Sequence, residues 1–472
     1  SLRLHCMVLT VAWRRGFSTA RIWSKRFHRA LSSNYPTMAT GCVTAEAKEF
    51  DRSVFDETIK VFGVAMLPVH LGSIVRDCKG FILRVRSSKN VVPAPDASNR
   101  EKAILFDPEA VSSRVDLLRA LQSNPEALAR LEASNARDIE YHVKIGYTDC
   151  SVEKVLRKLL PASITELPSS FEMAGHVAHV NLREECLPYR YIIGQVLLEK
   201  NNHLETVVNK VGIISNEFRT FPMEVIAGKD DLNVEVREYG ARFRFNFAKV
   251  YWNSRLQDEH RRLVDRFNSG SVIVDAFCGV GPFAVPAGLK GCTVHASDLN
   301  PESYAALVKN VALNHVENKV STSNKDARDF LRETLGRKDV LADHMIMNLP
   351  ASAIEFLDAL KGAFDPTRYR AEAGAPSDAA GDAEHCHKKA KTQEESQLAG
   401  QTERQVLPMI HCYCFANPET FRADILERAS TAMGCSLEAL RGAEIRQVRD
   451  VAPKKVMYCL HVRVPAEIAF PR

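Results

Sequence analysis

The sequence predicts an α/β protein whose C-terminal, Rossmann-like domain follows two smaller α/β (α+β) domains. Beyond Ser271, strand and helix patterns alternate regularly, which indicates a parallel sheet with crossover helices. The glycines of Asp275-Ala-Phe-Cys-Gly-Val-Gly281 lie where the first of these strands gives way to its helix. A length of 472 residues allows about three domains. We expect them at 46–149, 150–268 and 269–472.

The expected C-terminal domain shows a regular alternation of strand patterns and segments with helical spacing of apolar residues. Its predicted strands are 271–277, 293–298, 319–324, 344–348, 408–415, 445–451 and 456–464. Its predicted helices are 282–289, 301–314, 327–335, 351–361 and 418–433. Residues 366–405 interrupt this rhythm with almost no large apolar side chains, and they predict a disordered surface insertion.

The two preceding domains show mixed patterns. In the first, 60–68 opens the domain, 81–86 alternates like a strand and 111–131 has the spacing of a helix. In the second, four segments predict strands: 176–182, 221–227, 234–238 and 241–247. Helical spacing is found at 189–198 and 256–267, and the second of these helices leads directly into the first strand of the last domain.

The first 45 residues contain seven Lys or Arg side chains and no Asp or Glu, with Ser, Thr and aromatic residues between them. This composition is typical of a mitochondrial transit peptide. It predicts the mitochondrial matrix, and Met38 could start a shorter form for the cytoplasm or nucleus. The alternative is a disordered basic arm that contacts RNA.

The net charge of the chain limits the classes of partner that it can bind. The formal net charge is +5 and the arm supplies +7, so the rest of the chain is near −2. A nucleic-acid partner would therefore need local basic patches, such as Arg255, His260-Arg-Arg262 or Lys454-Lys455. No apolar run approaches the ~20 residues of a membrane span, so no membrane partner is expected. The cysteines form no Cys-x-x-Cys pair, which predicts reduced thiols and an intracellular compartment.

Three carboxylates lie at the ends of three consecutive predicted strands: Asp275, Asp298 and Asp326. Gly279 and Gly281 permit a tight turn and a close approach of the backbone to a ligand. A carboxylate at Asp275 would repel a pyrophosphate, but it suits the ammonium group of a methionine-type cofactor. Asp298 lies where a carboxylate accepts both ribose hydroxyls, and Asp326 could bind an adenine amino group. The pattern predicts S-adenosylmethionine as the cofactor.

Two further segments carry candidate chemistry. Asn348-Leu-Pro350 ends the fourth predicted strand and resembles the Asn/Asp-Pro-Pro-Tyr loop of methyltransferases that act on planar nitrogens. The Asn amide offers a donor and an acceptor, and the Pro fixes the backbone. On and before the helix that precedes the first strand, Glu259 could serve as a general base and Tyr251 could stack on a nucleobase. His385-Cys-His387 could bind a metal, but such a cluster in a loop is usually incidental, and we expect no metal.

Together these residues closely resemble the eukaryotic and archaeal tRNA (guanine-37-N1) methyltransferase family. The resemblance extends from about residue 50 to the C-terminus, apart from the insertion. It implies an N-terminal tRNA-recognition domain, a linking RNA-binding domain and a class I methyltransferase domain. The segments that carry it are 218–225, 249–256, 259–260, 275–283, 298–303 and 348–350.

The resemblance implies methyl transfer from S-adenosylmethionine to N1 of the guanosine 3′ of the tRNA anticodon, at tRNA position 37. Guanine N1 carries a proton, so a base must remove it while negative charge builds on O6. By resemblance, Glu259 is that base and Arg219 donates to O6, a role that suits an always-charged planar fork. Asn348 would hold the guanine edge beside the cofactor. Tyr251 and Pro350 would contact the target base, which must leave its stack.

The resemblance also implies cofactor contacts beyond the three carboxylates and the two glycines. They come from His260, Leu299, Ala327 and Asn348. Archaeal relatives often have Arg at the position of His260, so in this chain the charge of that contact would depend on pH. Cys278 stands where relatives often have Ala, which is a small change.

Other functions remain to be weighed. An aminocarboxypropyl transferase of the wybutosine pathway shares the fold and the cofactor, although the Asn348-Leu-Pro350 loop favours methyl transfer. A non-catalytic tRNA-binding protein would keep the fold but lose Asp298, Glu259 or Asn348, and all three are present. A cytosine-C5 methyltransferase would need a nucleophilic Cys, and no Cys adjoins the loop. We expect tRNA as the partner of a monomeric chain.

Overall fold

The computed structural model describes residues 43–95, 100–168, 170–212, 218, 220–370 and 405–471. Contacts divide the chain into two compact units: residues up to 169 together with 183–200, and 170–182 together with everything from 201 onward. The domain boundaries expected near 150 and 268 stay a prediction. Four predicted features lie wholly or mostly outside the described residues: the transit peptide, the disordered insertion at 366–405, the His385-Cys-His387 cluster and Arg219.

The first unit contains a four-stranded antiparallel sheet in the order β2-β3-β1-β4. The strands are β1 (Glu57–Met66), β2 (Val91–Pro93), β3 (Lys102–Leu105) and β4 (Arg137–Ile145). The helices are α1 (Pro68–Asp77), α2 (Arg114–Ala120), α3 (Pro125–Ala133), α4 (Val152–Leu159) and α5 (Arg190–Lys200).

Two sequence predictions for this unit are wrong in detail. The helix predicted over 111–131 is two helices, because Asn124 caps α3 with its side chain and Pro125 begins it. The strand predicted over 81–86 forms a single bridge, between Ile82 and Phe106. Ile82 is buried, so the alternation that suggested a strand reflects burial of a loop rather than a ladder of hydrogen bonds.

The second unit begins with two small sheets. One has the order β5-β6-β7-β8, and the other is a hairpin of β9 and β10. The four strands predicted in this region are confirmed to within two residues at most ends. They are β6 (Val177–Val180), β8 (Met223–Gly228), β9 (Asn233–Glu238) and β10 (Ala241–Asn246). Two further strands, β5 (Glu172–Ala174) and β7 (Thr206–Lys210), were not predicted.

A seven-stranded sheet forms the rest of this unit, in the order β13-β12-β11-β14-β17-β19-β18. The first five strands in that order are parallel, whereas β19 is antiparallel to both of its neighbours. All seven predicted strands are confirmed. They are β11 (Val272–Asp275), β12 (Thr293–Ser297), β13 (Val320–Ser323), β14 (His344–Met347), β17 (Met409–Ala416), β18 (Glu444–Ala452) and β19 (Lys455–Arg463), and the ends of the predicted insertion pair as β15 (Tyr369–Arg370) and β16 (Gln405–Val406).

Helices cover both faces of the seven-stranded sheet, so its central strands β11, β14 and β17 are largely buried on both sides, whereas the edge strand β18 is mostly exposed. Ile273 packs into one core and its neighbour Val274 into the other. Side chains of α6 (Gln257–Asp265), α7 (Ala284–Leu289) and α8 (Pro301–Leu313) belong to the first core, and those of α9 (Ala327–Gly336) and α10 (Phe421–Met433) to the second.

Smaller helices complete the unit. The helix predicted over 351–361 is a 3-10 helix, Ala353–Leu360, in the second core, and α11 (Ala466–Ala469) ends the described chain. In the part of the chain that the structure describes, no helix is both long enough and apolar enough to cross a membrane. The carboxyl ends of β11, β12, β13, β14 and β17 meet at one edge of the sheet, which is where open α/β sheets bind ligands. We call this edge the carboxyl edge.

Candidate functional site

Asp275 ends β11 at the carboxyl edge and is fully buried. Neither oxygen of its carboxylate has a hydrogen-bond partner among the described residues. Burial raises the pKa of Asp275 to about 8; the nearby backbone of Phe277 opposes this rise, and the negative charge of Asp298 adds to it. A buried polar group without a partner is costly unless a ligand supplies one. The site therefore favours a ligand with a cationic donor, such as the ammonium group of S-adenosylmethionine.

Asp298 joins two loops at the carboxyl edge. Its Oδ2 accepts the N–H of Gly279 (2.8 Å) and its Oδ1 accepts the N–H of Asn300 (2.9 Å). Only glycine fits at position 281, because the φ of Gly281 is +99° and a Cβ there would lie 2.8 Å from Leu307 Cδ1. Gly279 has a φ of +53°, but a Cβ there would meet no atom within 4 Å. The Gly279 side of the loop is therefore open to a ligand.

The loops that follow β12 and β13 are linked by a residue that the sequence did not predict. Asn324 donates from Nδ2 to the carbonyl oxygens of Asp298 (2.7 Å) and Leu299 (3.0 Å). Asp326 caps α9, and its Oδ1 accepts a backbone N–H of the first turn (2.9 Å). Ala327 is buried, whereas Leu299 is 41% exposed. The expected ribose and adenine contacts thus lie on one connected stretch of the edge.

Asn348 follows β14, and its Oδ1 is buried without a hydrogen-bond partner among the described residues. Alternation along the strand places it on the face of Ile346, which packs in the same core as Tyr413. The loop after Asn348 is fixed from β17, because the N–H of Phe415 donates to the carbonyl oxygen of Pro350 (2.9 Å). Asn348 therefore has a fixed backbone and an oxygen that can accept from a ligand.

Glu259 lies on α6 with 8% of its surface exposed. Arg262 donates to both carboxylate oxygens, from Nε to Oε2 (2.7 Å) and from Nη2 to Oε1 (2.6 Å). The hydroxyl of Tyr413 donates to Oε1 (2.9 Å), and Nε of Arg446 lies 3.9 Å from Oε2. A carboxylate has about four lone-pair positions, and these three hydrogen bonds leave one on Oε2. That position can accept a proton from a ligand.

Sequence reasoning missed the partners of Glu259. Arg262 could have been found, because residues three apart on a helix are neighbours. Tyr413 lies on a buried strand 154 residues away, and no sequence signal marks it. Behind Arg262, Nη2 lies 3.4 Å from Nε2 of His461. Burial lowers the pKa of His461 to about 4, so the ring is neutral near pH 7 and accepts from the guanidinium.

Two other predicted site residues have different surroundings. His260 is buried, with Nδ1 3.1 Å from Oε2 of Glu238 and its ring 4.9 Å from the ring of Phe283. Its expected contact with the cofactor stays a prediction. Tyr251 is 47% exposed, while the adjacent Trp252 packs in the core. The tyrosine therefore presents an aromatic ring at the surface beside α6.

The described residues fit S-adenosylmethionine. Asp275 and Asn348 have buried oxygens without partners, and the loop at Gly279 is open. No group of three or more His, Cys, Asp or Glu side chains within the described ranges is placed to hold a metal ion.

Comparisons with known proteins identify families and relatives that this chain resembles. Residues 234–366 match the family model described as TRM5/TYW2 methyltransferase domain, and residues 152–231 match the one described as TYW2 N-terminal domain. The tRNA (guanine(37)-N(1))-methyltransferase of Phytophthora infestans is 41% identical over 89% of this chain and 93% of its own length. The proteins of the same name from Danio rerio and Homo sapiens are 36% and 33% identical, again over 89% of this chain, covering 82% and 77% of their own lengths.

Solved structures share the fold. A crystal structure of Trm5b from Pyrococcus abyssi covers 85% of this chain and 98% of its own, with a TM-score of 0.56 and 21% identity. The complex of aTrm5 with tRNALeu covers 85% of this chain and 99% of its own, with a TM-score of 0.54 and 19% identity. At this level of identity the likeness shows the fold alone.

The protonation state of Asp275 can be tested by measuring how many protons are released when the cofactor binds. With a pKa of about 8 the carboxyl is mostly protonated at pH 7, and an ammonium ligand favours the ionised form. Binding of S-adenosylmethionine at pH 7 should therefore release about one proton. Isothermal titration calorimetry in buffers of different ionisation enthalpy measures this number.

Methylthioadenosine, which lacks the ammonium group, is the matched control ligand and should bind without proton release. The Asp275→Asn variant should bind S-adenosylmethionine more weakly and release no proton. Equal proton release by the wild type and this variant would show that another group titrates.

Proposed function

The chain belongs to the tRNA (guanine(37)-N(1))-methyltransferase family, and we propose that it transfers the methyl group of S-adenosylmethionine to N1 of guanosine 37 in tRNA. The observation that carries this proposal is the extent of the kinship. Relatives of that name match 89% of this chain. S-adenosylmethionine supplies the methyl group when it is bound.

The cofactor is held by residues of the carboxyl edge. Asp275 takes the ammonium group, because its buried oxygens have no other described partner. Asp298 takes the ribose hydroxyls, and Asp326 with Ala327 and Leu299 surrounds the adenine. The open side of the glycine loop at Gly279 lets the backbone approach the ligand.

The proton on guanine N1 goes to Glu259 as general base. The forked ion pair with Arg262 and the hydrogen bond from the hydroxyl of Tyr413 fix the orientation of the carboxylate. One lone-pair position on Oε2 is left for the proton. Burial around Glu259 keeps bulk water from competing for that position, which strengthens the interaction with the base.

The guanine ring is held by groups around this carboxylate. The buried Oδ1 of Asn348 accepts a donor on the guanine edge, and Pro350 packs against the ring. Tyr251, exposed at the surface beside α6, stacks on the base or its neighbour after the base leaves the anticodon-loop stack. Arg219, which lies outside the described residues, donates to O6 as negative charge builds there.

The wybutosine-pathway aminocarboxypropyl transferase is the second candidate, because residues 152–231 match a model named for the TYW2 N-terminal domain. Both reactions use the same cofactor but transfer different groups from it. The Asn348-Leu-Pro350 loop and the named relatives support methyl transfer instead.

We also propose a monomer that works in the mitochondrial matrix, with a shorter form in the cytoplasm or nucleus. The support for this location is the composition of the first 45 residues, which hold seven cations and no acid.

The product identifies the reaction. The purified protein, given S-adenosylmethionine and tRNA transcripts with guanosine at position 37, should form 1-methylguanosine at that position. Mass spectrometry of the nucleosides separates a methyl from an aminocarboxypropyl group. A transcript with adenosine at position 37 is the control, and equal labelling of that transcript would refute the proposed target.

The role of Glu259 is tested by Glu259→Gln, which keeps the shape of the side chain but cannot take the proton. The single-turnover rate should fall by about 10²–10⁴-fold, the usual contribution of a general base. The affinity for S-adenosylmethionine, measured by calorimetry, should change little. Glu438→Gln removes an exposed carboxylate paired with Arg441 and serves as the matched control. An unchanged rate in Glu259→Gln would remove Glu259 from this role.

A further inference from the structure

The hairpin of β18 and β19 reaches the carboxyl edge. Its register pairs Ala452 with Lys455, so the turn lies between these two residues. Val456, at the start of β19, pairs with Ala416, the last residue of β17. Because β17 runs parallel to β14, this end of the hairpin lies at the same edge as Asn348. We call residues 444–455 the basic hairpin arm.

Three cations of the arm contact elements of the candidate site. Arg446 lies 3.9 Å from the carboxylate of Glu259, and its side chain is 49% exposed. Arg449 donates from Nη1 to Oδ1 of Asn253 (3.2 Å), two residues after Tyr251. Nζ of Lys455 lies 4.5 Å from the centre of the Phe415 ring, and Phe415 is the residue that donates to Pro350.

Acidic residues balance only part of this charge. The arm holds four Lys or Arg side chains, including Lys454 in the turn, and two acids. Glu444 forms an ion pair with Arg266 at the far end of the arm, and Asp450 accepts from Gln447. Within the arm, the end at the carboxyl edge is therefore positively charged.

This combination of charge and position fits RNA. Arginine and lysine side chains near an exposed aromatic ring, here Tyr251, are the pattern that binds a phosphate backbone beside an unstacked base. A flipped nucleotide also needs its flanking phosphates held while the base enters the site. We propose that the basic hairpin arm binds the phosphodiester backbone of tRNA next to the target nucleotide, with Arg449 and Lys455 as phosphate contacts. This inference rests on the proposed function, because it takes tRNA as the substrate.

A simpler explanation exists for cations on β18. It is an edge strand of the seven-stranded sheet, and charged side chains on edge strands prevent pairing with other chains. The two explanations differ in one measurable quantity. Phosphate contacts release counterions and make affinity depend on salt, whereas edge protection affects only aggregation.

The test is tRNA binding by Arg449→Gln/Lys455→Gln. Fluorescence anisotropy with a labelled transcript that has guanosine at position 37 gives Kd at several salt concentrations. The variant should bind about tenfold more weakly, and the slope of log Kd against log salt should fall by roughly two, about one for each phosphate contact. Calorimetry with S-adenosylmethionine should give the wild-type affinity, which shows that the edge of the sheet is intact.

The matched control is Lys338→Gln/Arg441→Gln, which removes the same charge from loops that precede β14 and β18 at the opposite edge. This control should keep the wild-type Kd and slope. The proposal is overturned if the arm variant keeps both values, if the control loses as much as the arm variant, or if the arm variant only aggregates.

Binding is measured without methyl transfer, so the two proposals fail separately. If the wild type binds tRNA through the arm but forms no 1-methylguanosine at position 37, the proposed function is wrong and the arm proposal stands. If the wild type forms 1-methylguanosine and its binding does not depend on the arm, only the arm proposal is wrong.

Discussion

The ion pair between Glu259 and Arg262 is the interaction on which the candidate site depends. A buried carboxylate without a partner is strongly destabilising, and the guanidinium fork offsets that cost with two hydrogen bonds. The hydroxyl of Tyr413 donates a third hydrogen bond to this carboxylate. It thereby connects α6 to β17, which is far from α6 in the sequence. The same carboxylate faces the basic hairpin arm through Arg446. Helix, sheet and hairpin are thus positioned around one negative charge.

Asp275 shows the opposite arrangement. Its carboxyl is buried without a described partner, and burial raises its pKa to about 8. Glu259 has its partners within the protein, whereas Asp275 needs a cationic ligand to ionise. Two carboxylates in such different surroundings are suited to different roles. Glu259 is suited to accept a proton during the reaction, and Asp275 is suited to bind a cofactor.

The sequence predicted the second unit better than the first. Short strand patterns alternate with helical spacing along this part of the chain, so all seven strands of the large sheet were predicted. The positions of Asp275, Asp298 and Asn348 at the carboxyl ends of strands were predicted for the same reason, and their roles as site residues stay a prediction. The strand predicted over 81–86 failed because a buried loop can show the same alternation. Tyr413 could not be predicted, because its contact with Glu259 depends on the register between distant strands.

The most direct test of the central claim is chemical rescue of Glu259→Ala. This variant leaves Arg262 and Tyr413 facing a space of the size and polarity of a carboxylate. If Glu259 takes the N1 proton, added formate should occupy that space and raise the single-turnover methylation rate in proportion to its concentration. Chloride at the same ionic strength should not raise it. A variant that is inactive and stays inactive in formate, although it binds S-adenosylmethionine and tRNA normally, would contradict the account.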